Sequence, residues 1–321
     1  MAFSDADWLD AAAALAARGR PLSRPNPAVG ALIVKYGRVI GRGWTQPGGR
    51  PHAEAQALLQ AGEAARGAAA YVTLEPCAHD SPRGPACAHS LRDAGLARVV
   101  IGCEDPDPRT AGAGIALLRE SGIAADLVPS PAATHSLEGY LTRARLGRPH
   151  TTLKLATSLD GCIAMADGTS QWITGPEARA HGHAMRARCD AILVGGETLR
   201  ADSPRLDVRL PGLAARSPAR WVLTRGTAPE GWQTIADPAD GSFGEAQYLL
   251  IEGGAGAAAA FIAADRIDRL LLYRAPILIG AGRRGLGEIG LASLAEAHGR
   301  WRLIDQRRLG SDTLDVYDRT R

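Results

Sequence analysis

The apolar and polar positions of the first half alternate between helical and extended spacing. Ser4 stands as the cap of a helix whose Trp8, Leu15 and intervening alanines form one face. Asp5 and Asp7 lie near its positive end, and Gly19 is its predicted stop. Strands are predicted at 28–35 and 38–44, joined at Tyr36-Gly37 as a hairpin. A helix opens near His52 and runs through Leu58 and Leu59. A short buried strand at 71–74 then ends at Glu75-Pro76-Cys77. A helix near Cys87, a strand at 97–103, a helix around 115–120 and a strand at 123–128 complete the run. This ββαβαβαβ order predicts a sheet with helices on both faces, a layout in which ligands sit at strand ends and helix starts.

A turn over 131–135 and a helix over 137–146 lead to Gly147-Arg148-Pro149, which reads as a boundary between domains at 1–147 and 148–321. Beyond it, mostly apolar strands are predicted at 151–157, 190–195, 220–224, 247–252, 267–273 and 276–280. Helices are predicted at 177–188 and 256–264, and a closing hairpin at 300–305 and 313–317. The length of 321 residues exceeds the size at which one core stops growing, which agrees with two domains.

A formal charge of +3 from dispersed arginines gives no electrostatic case for nucleic acid or membrane binding. No apolar run is long enough to span a bilayer. The N-terminus lacks a basic segment before an apolar stretch, and five cysteines without regular pairing point to a reducing compartment, so the chain is expected to be cytoplasmic.

The chemistry concentrates in His52-Ala53-Glu54, followed by Pro76-Cys77 and Cys87. One imidazole and two thiolates fill three of the four positions around zinc, and a three-ligand site with an open position is the catalytic kind. Water bound there ionises near neutral pH. The H-x-E…P-C…C order marks zinc-dependent base deaminases, in which the glutamate moves protons and is not a ligand. Helix starts favour thiolate over thiol. Two apart on a helix, His52 and Glu54 point in different directions, so one can bind metal while the other reaches water and substrate. Cys103, Cys162 and Cys189 lack such company and read as buried small hydrophobes. Asn26, on the rigid Arg24-Pro25-Asn26-Pro27 loop, is open to two readings, a hydrogen bond to a heterocycle or a plain turn residue. Gly254-Ala-Gly-Ala-Ala-Ala259 fits G-x-G-x-x-A, a pyrophosphate cradle, but lacks the rest of a dinucleotide-binding unit, so the motif alone reads as a helix start. His181 and His183 do not share a helix face and are set aside as a metal pair.

Arg24-Pro-Asn-Pro-Ala-Val-Gly30, His52-Ala-Glu54, Thr73-Leu-Glu-Pro-Cys-Ala-His79 and Glu104-Asp-Pro-Asp-Pro108 resemble the deaminase half of the bifunctional riboflavin-biosynthesis deaminase/reductases. Lys154-Leu-Ala-Thr-Ser-Leu-Asp-Gly161, Ser170-Gln-Trp-Ile-Thr174, Asp190-Ala-Ile-Leu-Val-Gly195, Thr198-Leu-Arg-Ala-Asp202 and Ile251-Glu-Gly-Gly254 resemble its reductase half. The resemblance implies an α/β chain, with an N-terminal cytidine-deaminase-like three-layer α/β/α domain and a C-terminal dihydrofolate-reductase-like α/β domain. The implied substrate is a small-molecule phosphoribosylaminopyrimidine, a diaminohydroxypyrimidine deaminated in the first domain. Its ribose is then reduced to ribitol with NADPH in the second. His52, Cys77 and Cys87 become ligands of one zinc ion per chain, Glu54 the proton shuttle, and Asn26 and His79 substrate contacts. Lys154, Ser170, Arg186, Leu206, Arg209 and Glu252 align with substrate contacts. Cofactor contacts align with Ala156, Trp172, Thr198, Asp202 and the loop Gly254, Ala255, Gly256, Ala257, Ala258, Ala259 and Ala260. Lys154 and the two arginines suit a phosphorylated sugar, since a guanidinium grips phosphate with a bidentate fork. A homo-oligomer, dimer or tetramer, is implied as well.

The chain departs from the family in three places. Nine residues separate Cys77 from Cys87, one more than usual; Thr224-Arg225 replaces a usual Asp-Ser; and the stretch 210–247 is short. The last two motivate a rival reading, a monofunctional deaminase with a non-catalytic second domain. A nucleic-acid base deaminase is the other rival, and the long loop between the cysteines argues for a small-molecule pocket instead.

Overall fold

The computed structural model describes residues 3–79, 81–241 and 243–321. The chain divides into two compact units, Met1–Arg148 and Pro149–Arg321, one residue past the boundary expected from sequence. Among the described residues no helix is long and apolar enough to cross a membrane.

In the first unit, α1 (Asp5–Ala16) starts at a capping box in which Ser4 and Asp7 exchange hydrogen bonds. It ends at Ala16, before Gly19, with Ala17 as its cap. Strands β1 (Gly30–Lys35), β2 (Arg38–Trp44), β3 (Ala69–Val72), β4 (Arg98–Ile101) and β5 (Ala124–Leu127) form one sheet in the order β2-β1-β3-β4-β5. β1 runs antiparallel to β2 and β3, and β3, β4 and β5 are parallel. Side chains alternate across the pleat. Ala31, Ile33, Ala70, Val72, Val99 and Ile101 bury against α2 (Ala53–Ala61), α3 (Cys87–Asp93) and α4 (Ala113–Glu120). Leu32, Val34, Tyr71 and Val100 bury on the opposite face against Leu9 and Ala12 of α1. The three layers follow from that alternation. The segment expected to be a turn at 131–135 is a helix, α5 (Pro131–Ser136), capped by Ser130 with proline at its first position. It leads into α6 (Glu138–Leu146).

The second unit is built on an eight-stranded sheet, formed by β6 (His150–Thr157), β8 (Ala191–Gly195), β9 (Ala219–Leu223), β10 (Trp232–Ile235), β11 (Tyr248–Glu252), β12 (Arg269–Arg274), β14 (Trp301–Leu309) and β15 (Asp312–Arg319). Its order is β10-β9-β8-β11-β6-β12-β15-β14. The pairs from β10 to β12 are parallel, and the closing hairpin adds antiparallel strands at the β12 edge. β8 and β11 are buried at every position, as parallel strands covered on both faces must be. Helix α9 (Ala255–Ala263) packs Ala258, Phe261 and Ile262 on one face; α7 (Pro176–Arg186) packs Ala178 over Tyr273 and Leu314 on the other. A small ribbon pairs β7 (Cys162–Ala164) with β13 (Arg283–Arg284), and a short α8 (Gly196–Asp202) follows β8; neither was foreseen from sequence. The strand expected at 276–280 does not form. The amides of Ile279 and Gly280 bond the Asp160 carboxylate there.

Candidate functional sites

Two centres stand out, one in each unit. In the first, α2 begins at the spot where the chain turns off the edge of the sheet, with His52 as its N-cap and Glu54 in its first turn. Cys87 is the first residue of α3, and Cys77 follows β3 on a loop. Among the described residues, these three side chains form the one His/Cys/Asp/Glu group whose ligand atoms all lie within 4.8 Å of one another. His52 Nδ1 lies 3.2 Å from Cys87 Sγ and 3.8 Å from Cys77 Sγ. Asn26 Nδ2 sits 3.0 Å from both Gly49 O and His52 Nε2, so it fixes the imidazole's far edge. The backbone N–H of Cys87 donates to Cys77 Sγ at 3.2 Å. Hydrogen bonding from Cys87, thiol and amide together with His52, holds the Cys77 thiol down to about 4. The sulfur of Cys77 and burial push Cys87 the other way. A divalent cation between the two sulfurs removes that opposition, because it favours both thiolates.

Glu54 is buried at 3 % exposure. Burial raises its carboxyl above the usual range, against the pull of His52. His79 is half-buried, with Nδ1 3.5 Å from Thr110 Oγ1, so it sits outside the ligand triangle. Arg83 reaches Gly48 O at 3.2 Å across the same rim. Sequence reasoning passed over Glu75. This buried carboxylate accepts the backbone N–H groups of Gly112 at 3.0 Å and Ile115 at 3.1 Å, and so ties the loop bearing Cys77 to the start of α4.

The second centre is a cleft of about 430 Å³ at the ends of the parallel strands. Lys154, Ser170, Arg186, Arg209 and Glu252 line it, as do Ala156, Trp172, Thr198, Asp202, Gly254, Ala255 and Gly256. Leu206 does not. It packs into the core with Ile192, Val194 and Leu250. Ala257, Ala258 and Ala259 are buried in α9, and Ala260 does not line the cleft either; only the start of the glycine loop faces it. A Cβ at Gly254 would fall 2.8 Å from Thr198 Oγ1, and the residue has φ +81°, so this corner needs glycine twice over.

Arg186 lines the cleft and is also engaged within the protein. Its Nε and Nη2 donate to Glu252 at 2.7 and 2.8 Å, and Nη1 to Asp207 O at 2.9 Å, so its fork holds a carboxylate here. Lys154 Nζ lies 3.9 Å from the same Glu252. Burial raises the Glu252 carboxyl, but Lys154 and Arg186 outweigh it, and the group sits below the usual glutamate range. Cleft residues missed from sequence include Arg179, stacked 4.8 Å over Trp172, and His183. The signal was present, since Arg179, His183 and Arg186 recur at helical spacing on α7.

A three-layer deaminase-like unit and a mixed-sheet unit with a cleft at its strand ends, carried on one chain, define a bifunctional deaminase/reductase. Residues 3–103 match the cytidine and deoxycytidylate deaminase zinc-binding region, and residues 149–236 and 243–314 match the RibD C-terminal domain. The riboflavin biosynthesis protein RibD of Haemophilus influenzae is 36 % identical over 98 % of this chain and 97 % of its own length. That of Corynebacterium ammoniagenes is 40 % identical, covering 82 % and 83 %. The structure of Acinetobacter baumannii RibD superposes with a TM-score of 0.88 at 34 % identity over 99 % of both chains. The chain belongs to the RibD family, the bifunctional deaminase and reductase of riboflavin biosynthesis.

Proposed function

We propose that the first unit deaminates a diaminohydroxypyrimidine carrying a phosphoribosylamino group, and that the second reduces its ribose to ribitol with NADPH. The observation that carries the first step is the convergence of His52, Cys77 and Cys87 beside the buried Glu54. One nitrogen and two sulfur donors at two helix starts suit zinc. Zinc held by them would supply an activated water and a Lewis acid. Glu54 takes the proton of the attacking water and delivers it to the ring nitrogen before ammonia leaves. Its burial fits this role, because a raised carboxyl pKa lies nearer the working pH of an acid and base. Asn26 orients His52, and His79 reaches substrate from the rim.

In the second unit, the open corner at Gly254 and the start of α9 fit a dinucleotide pyrophosphate, since unpaired N–H groups converge there. Trp172, Thr198 and Asp202 line the cleft beside that corner. The protein acts as a homo-oligomer, a dimer or tetramer, in the cytoplasm, on a small molecule.

Zinc-loaded protein and the pyrimidine substrate, with and without NADPH, test the reading. Ammonia release followed by NADPH oxidation is expected. Ammonia without NADPH oxidation would leave a deaminase with an inactive second unit. No ammonia with zinc in place would overturn the substrate. Glu54→Gln should keep zinc and lose deamination while still reducing pre-deaminated substrate; retained turnover would remove Glu54 from the mechanism.

A further inference from the structure

We propose that Tyr273 is a positioning residue for Lys154 in the second unit's cleft, its ring beneath the ammonium and its hydroxyl anchored by His181. The proposal rests on reading the second unit as a reductase in which Lys154 touches substrate. Of the 37 lysines and arginines in the chain, only Lys35 and Lys154 are lysines. An arginine brings a planar, pre-organised fork, whereas a lysine is a point charge on a flexible stem and needs outside support to hold one place. Lys154 Nζ lies 3.9 Å from Glu252, beyond hydrogen-bond reach, and Glu252 is already held by two nitrogens of Arg186. Beneath the ammonium lies the face of Tyr273, with Nζ 5.8 Å from the ring centroid. That is within the distance at which an aromatic face attracts an ammonium.

The ring is itself fixed. β12 sets Tyr273 beside Ala156 of β6, one pleat along the same face from Lys154. Tyr273 is 1 % exposed and packs with Ala178 of α7 and with Leu271, Leu314 and Val316 of the sheet. Its hydroxyl lies 2.7 Å from His181 Nδ1. Burial, with Arg307 and Arg188 against Asp305, lowers His181, so the imidazole is neutral and Nδ1 can accept. Burial and Glu252 raise the tyrosine, against Arg307, so its hydroxyl keeps the proton and donates. This bond ties α7 to the sheet, as the Arg186–Glu252 pair does further along the helix. Neither Glu252 nor the Tyr273 ring takes a hydrogen bond from Lys154 at these distances, so its N–H groups are held in place and kept for a ligand.

With only two lysines in the chain, isotope-labelled lysine gives two sets of side-chain NMR resonances in the full-length protein, and Lys154→Met assigns them. Tyr273→Leu should shift the Lys154 resonances and leave those of Lys35, whereas Tyr273→Phe, which keeps an aromatic face, should stay near wild type. Tyr273→Leu should also raise KM for the pre-deaminated substrate about fivefold, in line with losing one partly desolvated cation–π contact. Tyr273→Phe should recover most of that loss. In a Lys154→Met background Tyr273→Leu should add little, because residues acting through one contact are not additive. NADPH binding, read by calorimetry, reports an intact cleft in each variant. Equal KM losses from Tyr273→Leu with and without Lys154 overturn the proposal, since a purely structural tyrosine predicts them. Lys154 resonances that ignore Tyr273→Leu overturn it too. Should Tyr273→Leu fail to fold, His181→Ala removes the anchor and keeps the ring; it should move the Lys154 resonances and KM by less, and no effect on either sinks the anchoring. If the wild-type protein does not oxidise NADPH with this substrate, the reductase reading falls, while Lys154 resonances that move in Tyr273→Leu still support the positioning.

Discussion

Replacing Gly43 by alanine tests how the deaminase centre is held in place. Gly43 lies in β2 directly beneath the start of α2. A methyl group there would sit 2.7 Å from Gln56 Cβ and 2.8 Å from Ala57 N, and closer still to Ala53 O. Carbon contacts are comfortable at roughly 3.5–4.0 Å, so α2 must lift by about 1 Å. The backbone of Gly43 is not in the left-handed region, which makes the effect steric alone. The helix carries His52 as its cap and Glu54 in its first turn, whereas the cysteines come from α3 and the loop after β3. The lift therefore separates the imidazole and carboxylate from the sulfurs. Overpacking of this kind costs roughly 1–3 kcal/mol of stability, and a misplacement of about 1 Å at a reacting centre costs on the order of a hundredfold in rate. Ammonia release should fall by about that factor at a temperature where the variant remains folded. Reduction of pre-deaminated substrate should be unaffected. A variant that melts with wild-type protein and deaminates within about twofold of it would refute the argument, since α2 would then have room that the structure denies it.

Glu75→Gln turns one acceptor toward the amides of Gly112 and Ile115 into a donor, and should destabilise the first unit by about 1–3 kcal/mol in thermal or urea unfolding. An unchanged midpoint would mean that the carboxylate is not what joins the Cys77 loop to α4. Glu252 gives a pH dependence with a definite sign. Burial raises its carboxyl, but Lys154 and Arg186 win, so its folded pKa is below the unfolded value of about 4.3. Its contribution to stability is full above that unfolded value and is lost as pH falls through the folded one. Urea midpoints of the second unit measured from neutral pH downward should show this loss. Glu252→Gln should remove it while lowering stability at neutral pH, because two cations lose their partner. An equally steep acid limb in the variant would place the titration elsewhere.

How much of this was legible in the sequence depended on whether a segment declares its partner locally. The β1–β2 hairpin and the sheet strands of the first unit were readable because their alternation matches one sheet with two buried faces. The clustering of His52, Cys77 and Cys87 was readable because the H-x-E…P-C…C order sets them at a helix start, after a strand and at a second helix start. α8 escaped because none of its residues is buried, so it has no apolar face to betray a helical period. The false strand at 276–280 has the opposite cause. Its Ile277 and Leu278 look like core residues yet stand exposed, and its amides bond Asp160 in place of a ladder. α5 was missed although Ser130 before Pro131 is a helix start by rule, which was a misreading and not a silence of the sequence. Leu206 shows the limit of alignment by position. Its φ of +54° turns the side chain into a core formed by β8 and β11, away from the cleft.

Arg186 carries the more general lesson, because the structure gives it a partner within the protein that its residue type does not announce. A fully buried carboxylate such as Glu252 stays ionised only if cations and donors surround it. β11 places that carboxylate at the cleft floor, and Arg186 reaches it from α7 and Lys154 from β6. The need to balance Glu252 thus claims the guanidinium before any ligand arrives. What remains is an ionised carboxylate at the floor, held rigid by Arg186, which can accept from sugar hydroxyls but would repel a phosphate.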